Sequence, residues 1–292
     1  MNPVLKEWLE LALRWAHVFA GIMWVGATFY FTWLDGRFEE LAKEPEKPGE
    51  KKFVWMVHSG GFYAVEKQKV PQVMPGKLHW FKWEAGLTWI TGILLFGLLY
   101  WHGHLLTSLE ETAVDRWTTL FPHCAAPGWL TPLLGFTTNH YLIVSLGLIL
   151  VGWVIYDLLW GKVFKNDAVG VVISFVLVVA LALLCCVAFP GRGAYLQVGT
   201  IFGTIMAANV WMRILPAQRR MVAALNAGQQ PNMSEGARAK TRSKHNTFIV
   251  IPVVFTMISN HYPGTYGSRY NWIILSALVL VGWGAAKLIR KA

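Results

Sequence analysis

Charge is scarce in this chain. Asp, Glu, Lys and Arg together make up 14% of its 292 residues, while hydrophobic residues make up 55%. A soluble domain carries about 25% charged residues, so a soluble globular fold is excluded. Acidic residues are scarcer still: 16 against 26 Lys and Arg, a formal net charge of +10. Cysteine is limited to three positions, Cys124 alone and Cys185 and Cys186 adjacent within an apolar run. That count does not support a disulfide framework, and the absence of any CxxCH excludes covalent attachment of haem c to this chain. No cleavable signal peptide is expected. Lys6, Glu7, Glu10 and Arg14 precede the first apolar run, and no small-residue cleavage site follows it.

What is present is hydrocarbon in long runs. The pattern predicts an all-α polytopic membrane protein, a bundle of about seven transmembrane helices. The spans fall at about 8–34, 77–101, 138–160, 168–189, 193–215, 243–260 and 270–288. Residues 1–292 read as a single membrane domain. Lys and Arg gather in alternate connections: 35–77, 161–167, 213–244 and the C-terminus. The intervening loops hold only Arg116, Arg192 and Arg269. This bias predicts an N-terminus outside and a C-terminus in the cytoplasm. The positive charge is thereby explained as a topology signal, and no nucleic-acid partner is expected. The lipid bilayer is the expected surrounding.

Three extramembrane pieces stand out. Residues 53–70 read as two short strands around Ser59-Gly60-Gly61, a small cytoplasmic β-hairpin with His58 at its turn. Residues 102–137 read as an external loop with one short helix around 108–120, and residues 218–242 as a cytoplasmic linker.

Ionisable side chains at membrane depth are costly and are the first candidates for function. His245 and His261 bracket one apolar run, and residues 246–260 between them carry no charge. His17, His140 and His261 fall towards the outside. His79 and His245 open spans two and six from the cytoplasm. An imidazole can ligate haem iron when its second ring nitrogen is held by an acceptor. His17, His79, His140, His245 and His261 are therefore candidate haem-iron ligands, with Arg14 available for a propionate. Each could equally hydrogen-bond to water, headgroups or a neighbouring helix. His102, His104 and His123 read as solvated loop residues. Glu84 lies five residues after His79, about one helical turn deeper into span two. It is a candidate proton acceptor beside His79 and His245, or a structural partner of Lys82. Asp157 reads as interfacial, and Asn209 and Arg213 as lining a polar interior. The abundant Trp residues, 16 in all, read as membrane anchors.

Five stretches together are specific: RWAHVFAGIMWVGATFYF at 14–31, WMVHSGGFYAVEK at 55–67, KLHWFKWEAGLTWITG at 77–92, TTNHYL at 137–142 and KHNTFIVIPVVFTMISNHYP at 244–263. With them the chain resembles the N-terminal membrane domain of the bacterial membrane-bound urate oxidase (urate hydroxylase) family. The resemblance implies oxidation of urate to 5-hydroxyisourate, with electrons passing to a cytochrome c domain instead of directly to oxygen. Longer family members carry that domain after a further span. It is absent from this sequence, so a c-type cytochrome or respiratory-chain subunit is expected as a separate partner.

The function expected is therefore a redox protein of the bacterial inner membrane. It oxidises a small purine-type substrate, carries at least one non-covalent haem b and passes electrons to a c-type cytochrome. Two other classes remain open from sequence: a non-catalytic b-type cytochrome subunit of a respiratory complex, and a cofactor-free transporter or channel. A reduced-minus-oxidised spectrum separates the last from the others, and turnover with urate separates the first two.

Overall fold

The structure, a computed structural model, describes residues 2–45, 51–68, 70–71, 75–101, 112–135 and 137–290. The chain is an all-α, multi-pass membrane protein. Six helices among the described residues are long and apolar enough to cross a membrane.

Helix α1 (Pro3–Leu41) opens with an Asn2 side chain that accepts the Val4 amide at 2.9 Å, followed by Pro3 in the first turn. Both are efficient helix starters, because they satisfy or remove amides that have no partner. At 39 residues α1 is about 58 Å long, far beyond the ~30 Å hydrocarbon core, so its C-terminal third leaves the membrane. There it carries the hairpin of β1 (Phe53–His58) and β2 (Gly61–Glu66), paired antiparallel from Phe53↔Glu66 to His58↔Gly61. Ser59 at φ 51° and Gly60 at φ 76° make the two-residue turn that matches the strand twist.

Helix α2 (Trp83–Phe96) ends in a π turn at Gly97–Trp101. The second span thus begins at Trp83, later than the expected 77, and residues 77–80 are irregular. Of the loop expected over 102–137, residues 102–111, with His102 and His104, lie outside the described residues. The remainder holds α3 (Ala113–Leu120), capped reciprocally by Thr112 and Asp115. Helix α4 (Thr138–Leu158) continues through a π turn at Leu159–Val163, and α5 (Asp167–Ala188) is capped by Asn166.

Helix α6 (Gly191–Ala208) is the axis of the bundle. Tyr195, Gln197 and Val198 are fully buried among α4, α5, α8 (Met233–Ile258) and α10 (Asn271–Ile289). Small residues permit the close approach. A Cβ on Gly199 would lie 2.2 Å from the Thr256 hydroxyl, and one on Gly191 would lie 2.1 Å from the carbonyl oxygen of Tyr266 in the single turn α9 (Pro263–Tyr266). The Gln197 amide in this apolar interior is matched: its Nε2 donates to the Ser145 carbonyl at 2.9 Å.

Beyond α6 the chain does not stop. A π turn at Asn209–Ile214, just ahead of Pro216, leads into α7 (Leu215–Asn226). The expected linker at 218–242 is thus helical except for a turn over 227–232. Its Ala- and Leu-rich sequence sustains α7, Gly228 reverses the chain at φ 70°, and Asn232 caps α8 through the Ser234 amide at 3.0 Å. Helix α8 carries Arg242 and Lys244 next to its apolar half, and is not among the six apolar spans. It nevertheless runs antiparallel along α6 and α7, from Arg220–Glu235 at one end to Arg192–Asn260 (3.2 Å) at the other. It is the seventh long helix of the bundle. Helix α1 packs mainly on α2 and meets α8 through Thr32 and Thr247, 3.2 Å apart.

Candidate functional site

Polar side chains converge where α4, the π turn after α6, and α8 meet. Arg242, His245 and Asn246 share one face of α8 by their spacing. They meet Tyr156 and Asp157 from α4, and Asn209 and Arg213 from the π turn. Such turns widen the helix and often mark functional positions, because they re-aim side chains out of the regular ladder.

The proton positions in this cluster follow from one fixed acceptor. The Met206 carbonyl can only accept, so the Asn246 atom 3.1 Å away is its amide nitrogen. Asn246 Oδ1 therefore accepts from Asn209 Nδ2 at 2.9 Å. The second proton of that nitrogen goes to the Tyr156 hydroxyl, also at 2.9 Å. Among the described residues the acceptor left for the Tyr156 proton is His245 Nδ1, at 2.8 Å. With Nδ1 accepting, the ring proton of His245 sits on Nε2. Asn209 Oδ1 stays buried with no partner among the described residues.

Beside this relay lies an ionic centre. Asp157 takes a two-pronged grip from Arg213, with Nε at 2.8 Å, and a third bond from Arg242 Nη2 at 2.9 Å. Arg242 is 7% exposed, lies 4.9 Å from the Tyr156 ring centre, and leaves Nη1 buried with no hydrogen-bond partner among the described residues. Two guanidinium groups on one carboxylate leave net positive charge at this end of the bundle.

A cavity of about 530 Å³ opens next to the cluster, between α4, α5, α6, α8 and α10. Its depth is hydrocarbon from Leu177, Leu181 and Ile201. Its polar end is formed by His245, Lys244, Lys287, Asp167 and the rings of Tyr156 and Trp160. The Trp160 ring stands 4.2 Å from the His245 ring, nearly edge-on. Lys244 lies 3.7 Å from Asp167 across the opening. This is the size and composition of a small-molecule site, apolar walls with few convergent polar groups.

The other candidates fall elsewhere. His79 is exposed ahead of α2, its ring on Phe81 at 4.5 Å, and does not line the cavity with His245. Glu84 sits in the first turn of α2. It is not a turn deeper than His79, since residues 77–82 are not helical. Its Oε2 is buried without a hydrogen-bond partner among the described residues, and Lys82 lies over Trp83, 5.7 Å from the ring. The hairpin packs along α1, so His58, bonded to Ser59 at 3.0 Å, is not a lid over His245.

The outer group is not gathered into one place. His17 contacts α2: its Nδ1 lies 2.9 Å from the Thr88 carbonyl and 3.1 Å from the Thr91 hydroxyl. A carbonyl only accepts, so Nδ1 carries the proton and the Nε2 lone pair is left free for a ligand. His140 instead caps its own helix, Nδ1 receiving the Thr137 amide at 3.1 Å. His261 ends a short 3₁₀ turn, exposed, and Arg14 is paired with Glu10 at 3.1 Å. His123 is exposed in the loop. No group of three or more His, Cys, Asp or Glu side chains is assembled among the described residues.

Sequence reasoning treated Arg242 as a topology charge and did not single out Tyr156 or Asn246. The spacing 242, 245, 246 on one helix was the available signal. Against known proteins, the family described as urate oxidase N-terminal matches residues 3–291. No curated protein and no solved structure matches the chain.

Proposed function

Since this chain belongs to the urate oxidase N-terminal family, we propose that it is a redox enzyme of the bacterial inner membrane that oxidises urate or a closely similar planar purine anion. The observation that carries this reading is the Tyr156 hydroxyl 2.8 Å from His245 Nδ1 at the polar end of the 530 Å³ cavity, a contact that leaves Nε2 to carry the ring proton. Nε2–H is a donor suited to a purine carbonyl oxygen. Lys244 and Lys287 supply positive charge for the anion, and the Trp160 and Tyr156 rings supply flat walls. The reaction balances as urate plus water giving 5-hydroxyisourate, two protons and two electrons. The chain's own part is to bind and orient the purine. As negative charge builds on the carbonyl oxygen, a preorganised donor stabilises it.

The electrons pass to a c-type cytochrome, one to each of two molecules. Haem b, if bound, supplies one-electron transfer between the substrate and that partner. His17 would hold its iron, because the Thr88 carbonyl holds the Nδ1 proton and orients the ring with Nε2 free. Gly92 faces the same ring, and a Cβ there would stand 3.0 Å from it. With the termini disposed as the Lys and Arg bias predicts, the cavity opens to the cytoplasm and His17 lies towards the outside.

The test is turnover of the purified protein with urate and added cytochrome c, after its haem has been quantified. Reduction of cytochrome c that depends on urate is the expected result. A haem-containing protein with no urate turnover is instead a b-type cytochrome subunit, and a protein with neither is a transporter or channel.

A further inference from the structure

The two faces of the hairpin are unlike. One lies on α1: Val54 is 6% exposed, and Met56 Sδ receives the Tyr30 hydroxyl at 3.6 Å. The other carries Trp55, Val57 and Phe62, which are 68%, 69% and 82% exposed. Cross-strand pairing of Val57 with Phe62, and of Trp55 with Ala64, makes these side chains one continuous apolar patch. No described element covers it.

Its depth can be read along α1. Lys52 Nζ donates to the Leu41 and Glu44 carbonyls at 2.5 and 2.8 Å, and Lys67 pairs with Asp35. The base of the hairpin therefore sits beside residues 35–44, the end of α1 and the turn after it. From there β1 runs back towards the membrane, reaching Tyr30 by Met56 and ending at a turn beyond it. Tyr30 marks the level at which the bundle becomes apolar. Phe31 packs on Phe81 at 4.8 Å, two residues before α2 begins at Trp83. Tyr30, Trp33, Trp80 and Trp83 thus form an aromatic belt of the kind found at the boundary between headgroups and acyl chains.

We infer that the hairpin is a membrane-interface element whose partner is the lipid surface. Trp55, Val57 and Phe62 enter the boundary of the leaflet through which α1 exits. Lys51, held 3.5 Å from Glu66, and Lys67 stand at the base near the phosphates. The exposed face continues the lipid-facing surface of α1 and needs no second protein. It also gives the long exit helix a sideways brace that holds the end of α1 against the bilayer.

The test uses the full chain in liposomes, with exposed Cys124 replaced by Ser and an environment-sensitive fluorophore on Phe62→Cys. Lys43→Cys, further out on the turn after α1, is the control. The expected result is blue-shifted emission at position 62, quenching by lipids spin-labelled near the headgroup, and shielding from aqueous iodide, with the reverse at position 43. Iodide quenching at position 62 equal to that at 43 would overturn the inference. So would shielding from both iodide and spin-labelled lipid, which marks a protein neighbour or a second copy. Val57→Cys gives the same reading if Phe62→Cys does not accumulate.

Discussion

His17 and His245 are the same residue under opposite instructions. On the peripheral α1–α2 pair, a backbone carbonyl takes the Nδ1 proton of His17 and leaves Nε2 with a lone pair. In the core, a tyrosine hydroxyl gives its proton to Nδ1 of His245 and leaves Nε2 with hydrogen. The first arrangement presents a metal ligand and the second a hydrogen-bond donor. What differs is not the imidazole but the atom behind it, so the proposed roles follow from Thr88 and from the Met206–Asn246–Asn209–Tyr156 relay.

The sharpest way to break this contrast is to delete each ring in turn. His17→Ala should remove the b-type haem spectrum from protein that still accumulates in the membrane, while His245→Ala should retain it. A pyridine haemochrome assay on both variants decides. Equal haem in the two would end the assignment of His17, and loss only in His245→Ala would reverse it.

Next in size is the ionic centre, which contrasts with the surface pair at the other end of the bundle. Asp157→Ala strands buried Arg242, which is expected to cost about 3–5 kcal/mol. Glu10→Ala removes the half-buried partner of exposed Arg14 and should cost about 0–1 kcal/mol. Unfolding in detergent, followed by loss of helical signal, measures both. Similar small effects would show that Asp157 is solvated in the working protein.

Turnover sharpens the donor role of His245. His245→Ala should lower kcat for urate by roughly 10²–10³, the usual effect of losing one preorganised donor. Tyr156→Phe leaves the ring in place but frees Nδ1, so the tautomer is no longer imposed. Its loss should be smaller than that of His245→Ala, with haem content unchanged. A Tyr156→Phe variant as active as the parent would show that the relay is structural packing only.

The seven-helix order and the hairpin were legible because their signals are local. Apolar length and a Ser-Gly-Gly turn need no knowledge of distant residues. The site was legible only in part. His245 stood out as an ionisable group beside an uncharged run, but its partner Tyr156 and the Asn209 that donates to Tyr156 lie 89 and 36 positions away in the chain, and nothing in α8 names them. Glu84 was misplaced by one assumption, that span two is helical from residue 77. The chain stays irregular until Trp83, so its five-residue separation from His79 is not a helical rise. Arg242 was hidden by a true rule. Cations do collect at one face of the membrane, yet this one turns inward to Asp157 and the Tyr156 ring.

The smallest effects test packing, and again the two regions should part. Gly199 lies on α6, where a Cβ would stand 2.2 Å from the Thr256 hydroxyl. Gly26, on the middle of α1, has nothing within 4 Å of the same position. Gly199→Ala must push α8 away from α6, and overpacking of this kind costs about 1–3 kcal/mol. Because Thr256 and His245 share α8, the shift should also loosen the cavity wall and raise KM more than it lowers kcat. Gly26→Ala fills open space on a helix that faces lipid, and Ala is the better helix former by about 1 kcal/mol, so that variant should be neutral or slightly more stable. Thermal unfolding of the two in the same detergent gives the comparison. If Gly26→Ala proves as damaging as Gly199→Ala, the outer side of α1 is packed in the working protein, and its exposed face belongs to an interface with another protein instead of to lipid.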